Sequence, residues 1–528
     1  MTCNDYIRAV DALRAPEALR MRVAALEQER RPAKRRHPAR WWGLCACLAA
    51  ALLGGGLFLS SGGLGGSSSP PGAGGGGHDG GNSVFLSYAG PVFPLSTLEG
   101  VEISASRELT LNFSPWTPQA ESGEDGSGYQ HWQPDALVTD AYVLSNHTDT
   151  DQTFTLVYPF AASFQTLSET TPLLTSGVDP IVNTSLRTGG SSGAADGAGS
   201  VQAAGRPEQF NSWEDYRALL QDGSHLAQAL GDGPDLSAIP VTVYRFTGPW
   251  GPARSADIPN PTVRVSFSLD YSETAVLSYG FQGGYYDSEE GFMAQSFSIP
   301  GEYDISHDRT CYLLVLGEDI SGMEIRGYAT GGFDTQEQID AGAAVERCEG
   351  TLDEVLREIL SLSSRQITGV PGADQSDFEL CYRALCEHLV TCGFLTGTPA
   401  ERCDAGWLEE IISEVVNTNR VFYLTAPIAI PAGGSMAVEA HFTKAGSYDY
   451  ACAHTENRGI YGYDMVSRLG SSLNFTGLSA KLRNTEAIQI VRQNMGFDLE
   501  QGIAQVTLDP DEEHYYLEIR RADTGESS

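Results

Sequence analysis

Residues 41–60, WWGLCACLAAALLGGGLFLS, carry no charged side chain and follow directly on the basic stretch ERRPAKRRHPAR. At about 1.5 Å of helical rise per residue such a run spans the roughly 30 Å hydrocarbon core of a bilayer. The run therefore predicts one transmembrane helix, and it divides the chain into two pieces that must fold apart. Lys34, Arg35, Arg36 and Arg40 crowd its leading edge, so the positive-inside tendency predicts a cytoplasmic leader and an extracytoplasmic remainder. An uncleaved anchor is expected, because the region leading a cleaved signal is normally short and here 40 residues come first. Gly54-Gly55-Gly56 would weaken the helix in water by about 1 kcal/mol each, but in lipid the backbone must close its own hydrogen bonds.

The anchor also divides the charge. Residues 1–40 hold ten Lys/Arg against five Asp/Glu, so of the formal −35 of the whole chain the remainder carries −40. That field disfavours nucleic acid and anionic polymers as partners. With 41% hydrophobic residues the outer region has enough apolar surface for buried cores. Of ten cysteines, Cys3 lies in the leader and Cys45 and Cys47 in the anchor; Cys311, Cys348, Cys381, Cys386, Cys392, Cys403 and Cys452 lie beyond. Seven is odd, so at least one thiol stays free, and their density is far below that of a disulfide scaffold.

In the leader, Tyr6, Val10 and Leu13 fall at helical spacing, Pro16 opens a second turn, and Leu19, Val23 and Leu26 repeat the stripe. The piece is too small to bury that stripe alone, which makes these six residues a candidate docking face for a cytoplasmic regulatory partner. Residues 61–83 have the Gly/Ser/Pro composition of a flexible stalk. From residue 84 to 334 short alternating segments such as VEISASRELTLNFS and QTFTLVYPF predict strands, with a Gly/Ser-rich and helical insert near 186–232. A change to helical periodicity predicts a helical insertion over 335–420, within which the capping box Thr351-Leu352-Asp353-Glu354 opens a helix; 421–523 returns to strand. The expected fold class is mainly β with an α insertion: a β-sandwich ectodomain plus one transmembrane helix.

No pattern fixes a reaction. GAGGGG at 72–77 and GGSSG at 189–193 match dinucleotide and nucleophile-elbow patterns, but both lie in low-complexity tracts without the strand, turn and helix that such chemistry needs. Cys381, Cys386, His388, Cys392 and Cys403 lack zinc spacing, and Cys381 and Cys392 fall on a stripe facing a helical core. The acidic clusters at 121–125, 287–290 and 509–513 lack calcium-loop spacing and read as solvated loops. The aromatic tract Ser278-Tyr279-Gly280-Phe281, followed by Gly283-Gly284-Tyr285-Tyr286-Asp287, has two readings: rings lining a carbohydrate or peptide groove, or tyrosines packing across a sheet. Cys311 and Cys452, far apart in sequence, are a candidate cross-strand pair in an oxidising exterior. Asn112, Asn146, Asn183 and Asn474 head glycosylation sequons. No catalytic residue, cofactor or metal site is assigned.

The leader segment Asp11-Ala12-Leu13-Arg14-Ala15-Pro16-Glu17-Ala18-Leu19, with its basic segment and single anchor, resembles the leader of a broad group of Firmicute single-pass membrane proteins, some of them anti-sigma regulators. Val138–Asn146 and Val491–Leu499 are similar to stretches of uncharacterised clostridial ectodomains. The leader lacks the H-x₃-C-x₂-C pattern of zinc-binding anti-sigma domains. The resemblance implies a membrane protein that senses or binds an extracellular ligand and signals through its leader; a surface-displayed binding or envelope-structural module is the alternative, and a hydrolase the third reading.

Overall fold

The computed structural model describes residues 85–117, 119–122, 128–131, 133–188, 210–222, 226, 229, 233–301, 310–333, 337–395, 407–450 and 455–522. The leader with Tyr6, Val10, Leu13, Leu19, Val23 and Leu26, the expected anchor and the stalk lie outside the described residues. No helix among the described residues is long and apolar enough to cross a membrane.

The protein is mainly β, as the alternating segments predict. Its organisation turns on one pairing. Strand Gln152–Ala162 runs antiparallel to Arg420–Ile430 over their full length, from Ala162 opposite Arg420 to Gln152 opposite Ile430. Between the two, Leu173–Ser176, Asp179–Pro180 and Ser185–Thr188 still pair within the first sandwich, and the chain from Pro240 to Asn417 then carries a second sandwich and three consecutive helices.

The first sandwich is built on a seven-stranded sheet in the order Gln505–Leu508, Asn474–Arg483, Ile103–Asn112, Asp135–Asn146, Ser435–Ala445, Leu173–Ser176 and Asp179–Pro180. Its period is legible in Asp135–Asn146, where every second residue from Ala136 to Asn146 is buried. Two smaller sheets share the inner face. The sheet holding the 152–162 and 420–430 strands covers Ile103, Ala105, Leu144 and Val438; the sheet holding Tyr461–Val466 and His514–Arg521 covers Leu109, Leu111, Val138 and Leu478. On this inner face lies an ion pair with both side chains fully buried, Arg107 Nε to Asp140 Oδ1 at 2.8 Å. The carboxylate also accepts the Tyr142 and Tyr158 hydroxyls at 2.7 and 3.0 Å, and the guanidinium donates to the carbonyls of Phe93 and Val466. The hydrogen bonds offset part of the desolvation of the pair, and a one-residue slip of Ile103–Asn112 would turn Arg107 to the other face and leave Asp140 buried without its partner, so the pair opposes such a slip.

The second sandwich faces a four-stranded sheet (Thr274–Tyr279, Cys311–Gly317, Pro240–Trp250, Gly342–Thr351) against a five-stranded one (Gly283–Asp287, Phe292–Ser298, Thr262–Ser268, Ser321–Tyr328, Gln338–Ile339). Phe246, Leu313 and Val315 of the first pack on Val263, Val265, Phe267 and Phe297 of the second. The opposite face of the four-stranded sheet gives Val241, Val243, Leu277 and Leu314 to the helices.

Four helices matter below: α1 (Trp213–Asp222), α2 (Leu352–Ser363), α3 (Phe378–Thr391) and α4 (Leu408–Asn417). The capping box is present, with the Thr351 hydroxyl and the Glu354 carboxylate each accepting the other's backbone N–H. The expected start of the helical insertion at residue 335 is corrected: Gly342–Thr351 is a strand, and the helices begin at Leu352. That strand closes its sheet, and Ala344, Val345, Glu346 and Arg347 are all exposed. An edge wet on both faces shows no period-2 pattern, which is why its sequence does not read as a strand.

Candidate ligand groove

Both sheets of the second sandwich end in an edge strand on the same side, Thr274–Tyr279 in one and Gly283–Asp287 in the other. The three residues between them turn at Gly280, whose φ of +86° and close approach to Cys311 disfavour any side chain. The Gly280 N–H donates to the Glu409 carboxylate, and the Cys311 thiol donates to the Gly280 carbonyl at 3.3 Å. The first turn of α4 is thereby tied to the turn between the two edges. A cavity of about 290 Å³ opens beside that tie, lined by Leu269, Tyr271, Thr274, Ala275, Val276, Ser278, Gly284, Tyr285, Tyr286, Met293, Gln295, Trp407 and Glu410.

Strand geometry decides what faces it. Gly284 lies opposite Gln295 and Tyr286 opposite Met293, and residues two apart share a face. Because Gly284 has no side chain, the Gln295 amide and the Trp407 ring reach the groove: a Cβ at 284 would stand 3.4 Å from Gln295 Oε1 and 3.5 Å from Trp407 Cζ2. Tyr285, on the other face, packs on Phe292 and Phe333 with ring centroids 6.1 and 6.3 Å away and forms the rim. Tyr285 and Tyr286 are 47% and 53% exposed. Tyr285 thus packs across the sheet, and both tyrosines line the cavity.

Gln295 is the unusual member. It is 6% exposed, its Oε1 has no hydrogen-bond donor among the described residues, and its Nε2 meets only the Met293 sulfur at 3.8 Å. An unsatisfied buried amide costs about 1–3 kcal/mol, and such a group at the wall of a cavity is placed to be satisfied by what enters it. Of the two adjacent carboxylates, Glu409 is engaged with Gly280, while Glu410 is exposed and lines the groove. No Lys, Arg or His is among the lining residues.

Sequence reasoning reached Tyr285, Tyr286 and Ser278 and missed Trp407, Glu410, Gln295 and Met293. Trp407 reads as the head of the α4 apolar stripe; the stripe itself, Leu408, Ile411, Ile412, Val415 and Val416, is buried. Trp407 stands at the N-cap position with extended backbone, so its ring leaves the helix face and turns to the groove. Comparison of the chain with protein-family models, with curated proteins and with solved structures gave no match. The site's chemistry therefore has to be read from its own residues.

The remaining candidate residues are accounted for locally. Asp287 Oδ1 accepts the N–H groups of Glu289 and Glu290 at 3.0 Å, and Asp509 Oδ1 accepts that of Asp511 at 2.9 Å, so these acidic clusters organise turns. Cys381 and Cys386 sit in the α3 core, where burial pushes their thiols up to about 12 and about 11. Cys403 and Cys452 lie outside the described residues. Asn146 is 1% exposed and donates to the carbonyls of Thr150, Ile430 and Pro431, which removes it as a glycan acceptor in the folded protein.

Proposed function

We propose that this chain is a single-pass surface protein, anchored by residues 41–60, whose acidic outer region binds a neutral saccharide in the groove between the Gly283–Asp287 edge and α4. One observation carries the reading: a buried Gln295 amide whose oxygen has no donor, set beside exposed aromatic rings in a groove whose described lining residues include a carboxylate and no cation. Sugars present C–H faces to aromatic rings and hydroxyls to amides and carboxylates. A phosphate, nucleotide or uronic acid would meet Glu410 and the acidic field with no cation among the described lining residues to offset them. Among the described lining residues Glu410 has no second carboxylate opposite it, which favours capture over the paired acid–base chemistry of glycoside hydrolysis. Calorimetric titration of the full-length chain with neutral and acidic oligosaccharides of matched length tests this. Heat from the neutral set alone supports it, and preference for the acidic set refutes it.

Regulatory signalling through the leader is a separate proposal resting on Tyr6, Val10, Leu13, Leu19, Val23 and Leu26. Leu13→Asp with Leu19→Asp should abolish capture of a sigma-like partner while leaving surface display intact. Capture that survives the double change removes it.

A further inference from the structure

The chain holds three lysines, Lys34, Lys444 and Lys481, against thirty arginines. Lysine is almost never fully buried unless it is paired, yet Lys444 is 7% exposed and forms no ion pair among the described residues. Its Nζ donates one hydrogen bond, to the Ala89 carbonyl at 2.6 Å, out of three an ammonium can make. The strand Ser435–Ala445 carries it to the wall of a cavity of about 220 Å³, whose other walls include Tyr88, Tyr158, Phe160 and Asn419 and whose rim is the 37% exposed Tyr448. This cavity shares no lining residue with the saccharide groove.

We propose that this second cavity takes a small apolar aldehyde and that Lys444 captures it as an imine. The aromatic walls suit a ring or short alkyl chain. A carboxylic acid fits less well, because Asp464 and Asp135 already supply negative charge to the lysine, and Asp464 is held in place by the Tyr88 hydroxyl at 2.5 Å and by His514 Nε2 at 3.2 Å. Burial outweighs both carboxylates and pulls the Lys444 ammonium down to about 8. Relative to a lysine of ordinary pKa this raises the neutral, nucleophilic fraction at pH 7 by roughly 300-fold. In the capture step the nitrogen lone pair adds to the carbonyl carbon. The carbonyl oxygen then departs as water carrying the two protons of the amine, and the C=N bond remains; no oxidant or reductant takes part.

The full-length chain, incubated at pH 7 with benzaldehyde and cyanoborohydride to reduce any imine to a stable benzylamine, should acquire a benzyl group on Lys444. Peptide mapping should find Lys444 modified at least about tenfold faster than Lys481, although Lys481 lies on the open seven-stranded sheet. Unfolding in urea should bring the two rates together. Thr170→Trp, which narrows the cavity, should slow Lys444 labelling and leave Lys481 unchanged. Preferential labelling of Lys481 in the folded protein overturns the proposal, as does Lys444 labelling that ignores the Trp at 170.

Discussion

Gln295→Leu separates binding from stability. In the free protein the Gln295 carbonyl is buried without a donor among the described residues, a state that costs about 1–3 kcal/mol. Leucine has nearly the same volume, places methyl groups against Met293 and leaves no polar atom stranded. The unliganded variant should therefore be more stable, by about 1–2 kcal/mol, visible as a higher urea midpoint at unchanged slope. Binding should move the other way. A ligand hydroxyl that meets a methyl group in place of an amide loses a hydrogen bond and is desolvated for nothing, so affinity for the neutral oligosaccharide should fall about tenfold. A variant that is less stable and binds as before would refute the reasoning, for Gln295 would then be a structural amide with no part in recognition.

Two further outcomes follow from the buried titratable groups. Burial, reinforced by the Arg420 charge, pulls the His388 imidazole down to about 4 despite the Glu414 carboxylate 3.8 Å away. As pH falls through the ordinary histidine value of about 6.5 the unfolded chain takes a proton that the folded chain refuses, so stability present above pH 6.5 is lost towards pH 4, by about 3 kcal/mol. Comparison with His388→Leu by urea titration at pH 7 and pH 4.5 should show that loss in the parent alone. Asp140→Asn leaves Arg107 buried beside a neutral partner and should cost about 3–5 kcal/mol; joint replacement Arg107→Met with Asp140→Leu should cost markedly less, and equal costs would show that the pair itself supplies the stability.

The legible parts of this fold are those where one physical signal dominates. Asp135–Asn146 alternates because one face is wet and one buried, and α2 announces itself by its capping box. Gly342–Thr351 does not read as a strand because an edge exposed on both faces has no reason to alternate. The pairing of Gln152–Ala162 with Arg420–Ile430 across the whole second sandwich and the helices is not legible at all, since a strand's sequence fixes which face is apolar and says little about which distant strand lies beside it. The groove is half legible for the same reason. Tyr285 and Tyr286 stand out as an aromatic pair on a glycine-flanked strand, whereas Trp407 reaches them from more than a hundred residues away through a tie between Glu409 and the Gly280 N–H that no local pattern encodes. Lys444 reads as an ordinary strand lysine until the fold closes a cavity over it.

The central claim is that the groove between the two edge strands and α4 recognises a neutral sugar by ring stacking. The most direct measurement is calorimetric titration of neutral oligosaccharides into the parent chain and into Trp407→Ala. A stacked ring contributes about 0.5–1.5 kcal/mol beyond the area it buries, and more with that area included, so the account predicts at least about tenfold weaker binding in the variant with an unchanged urea midpoint, because Trp407 stands outside the α4 core stripe. Equal affinity of parent and variant, or binding that follows ligand charge in place of the ring, would contradict it.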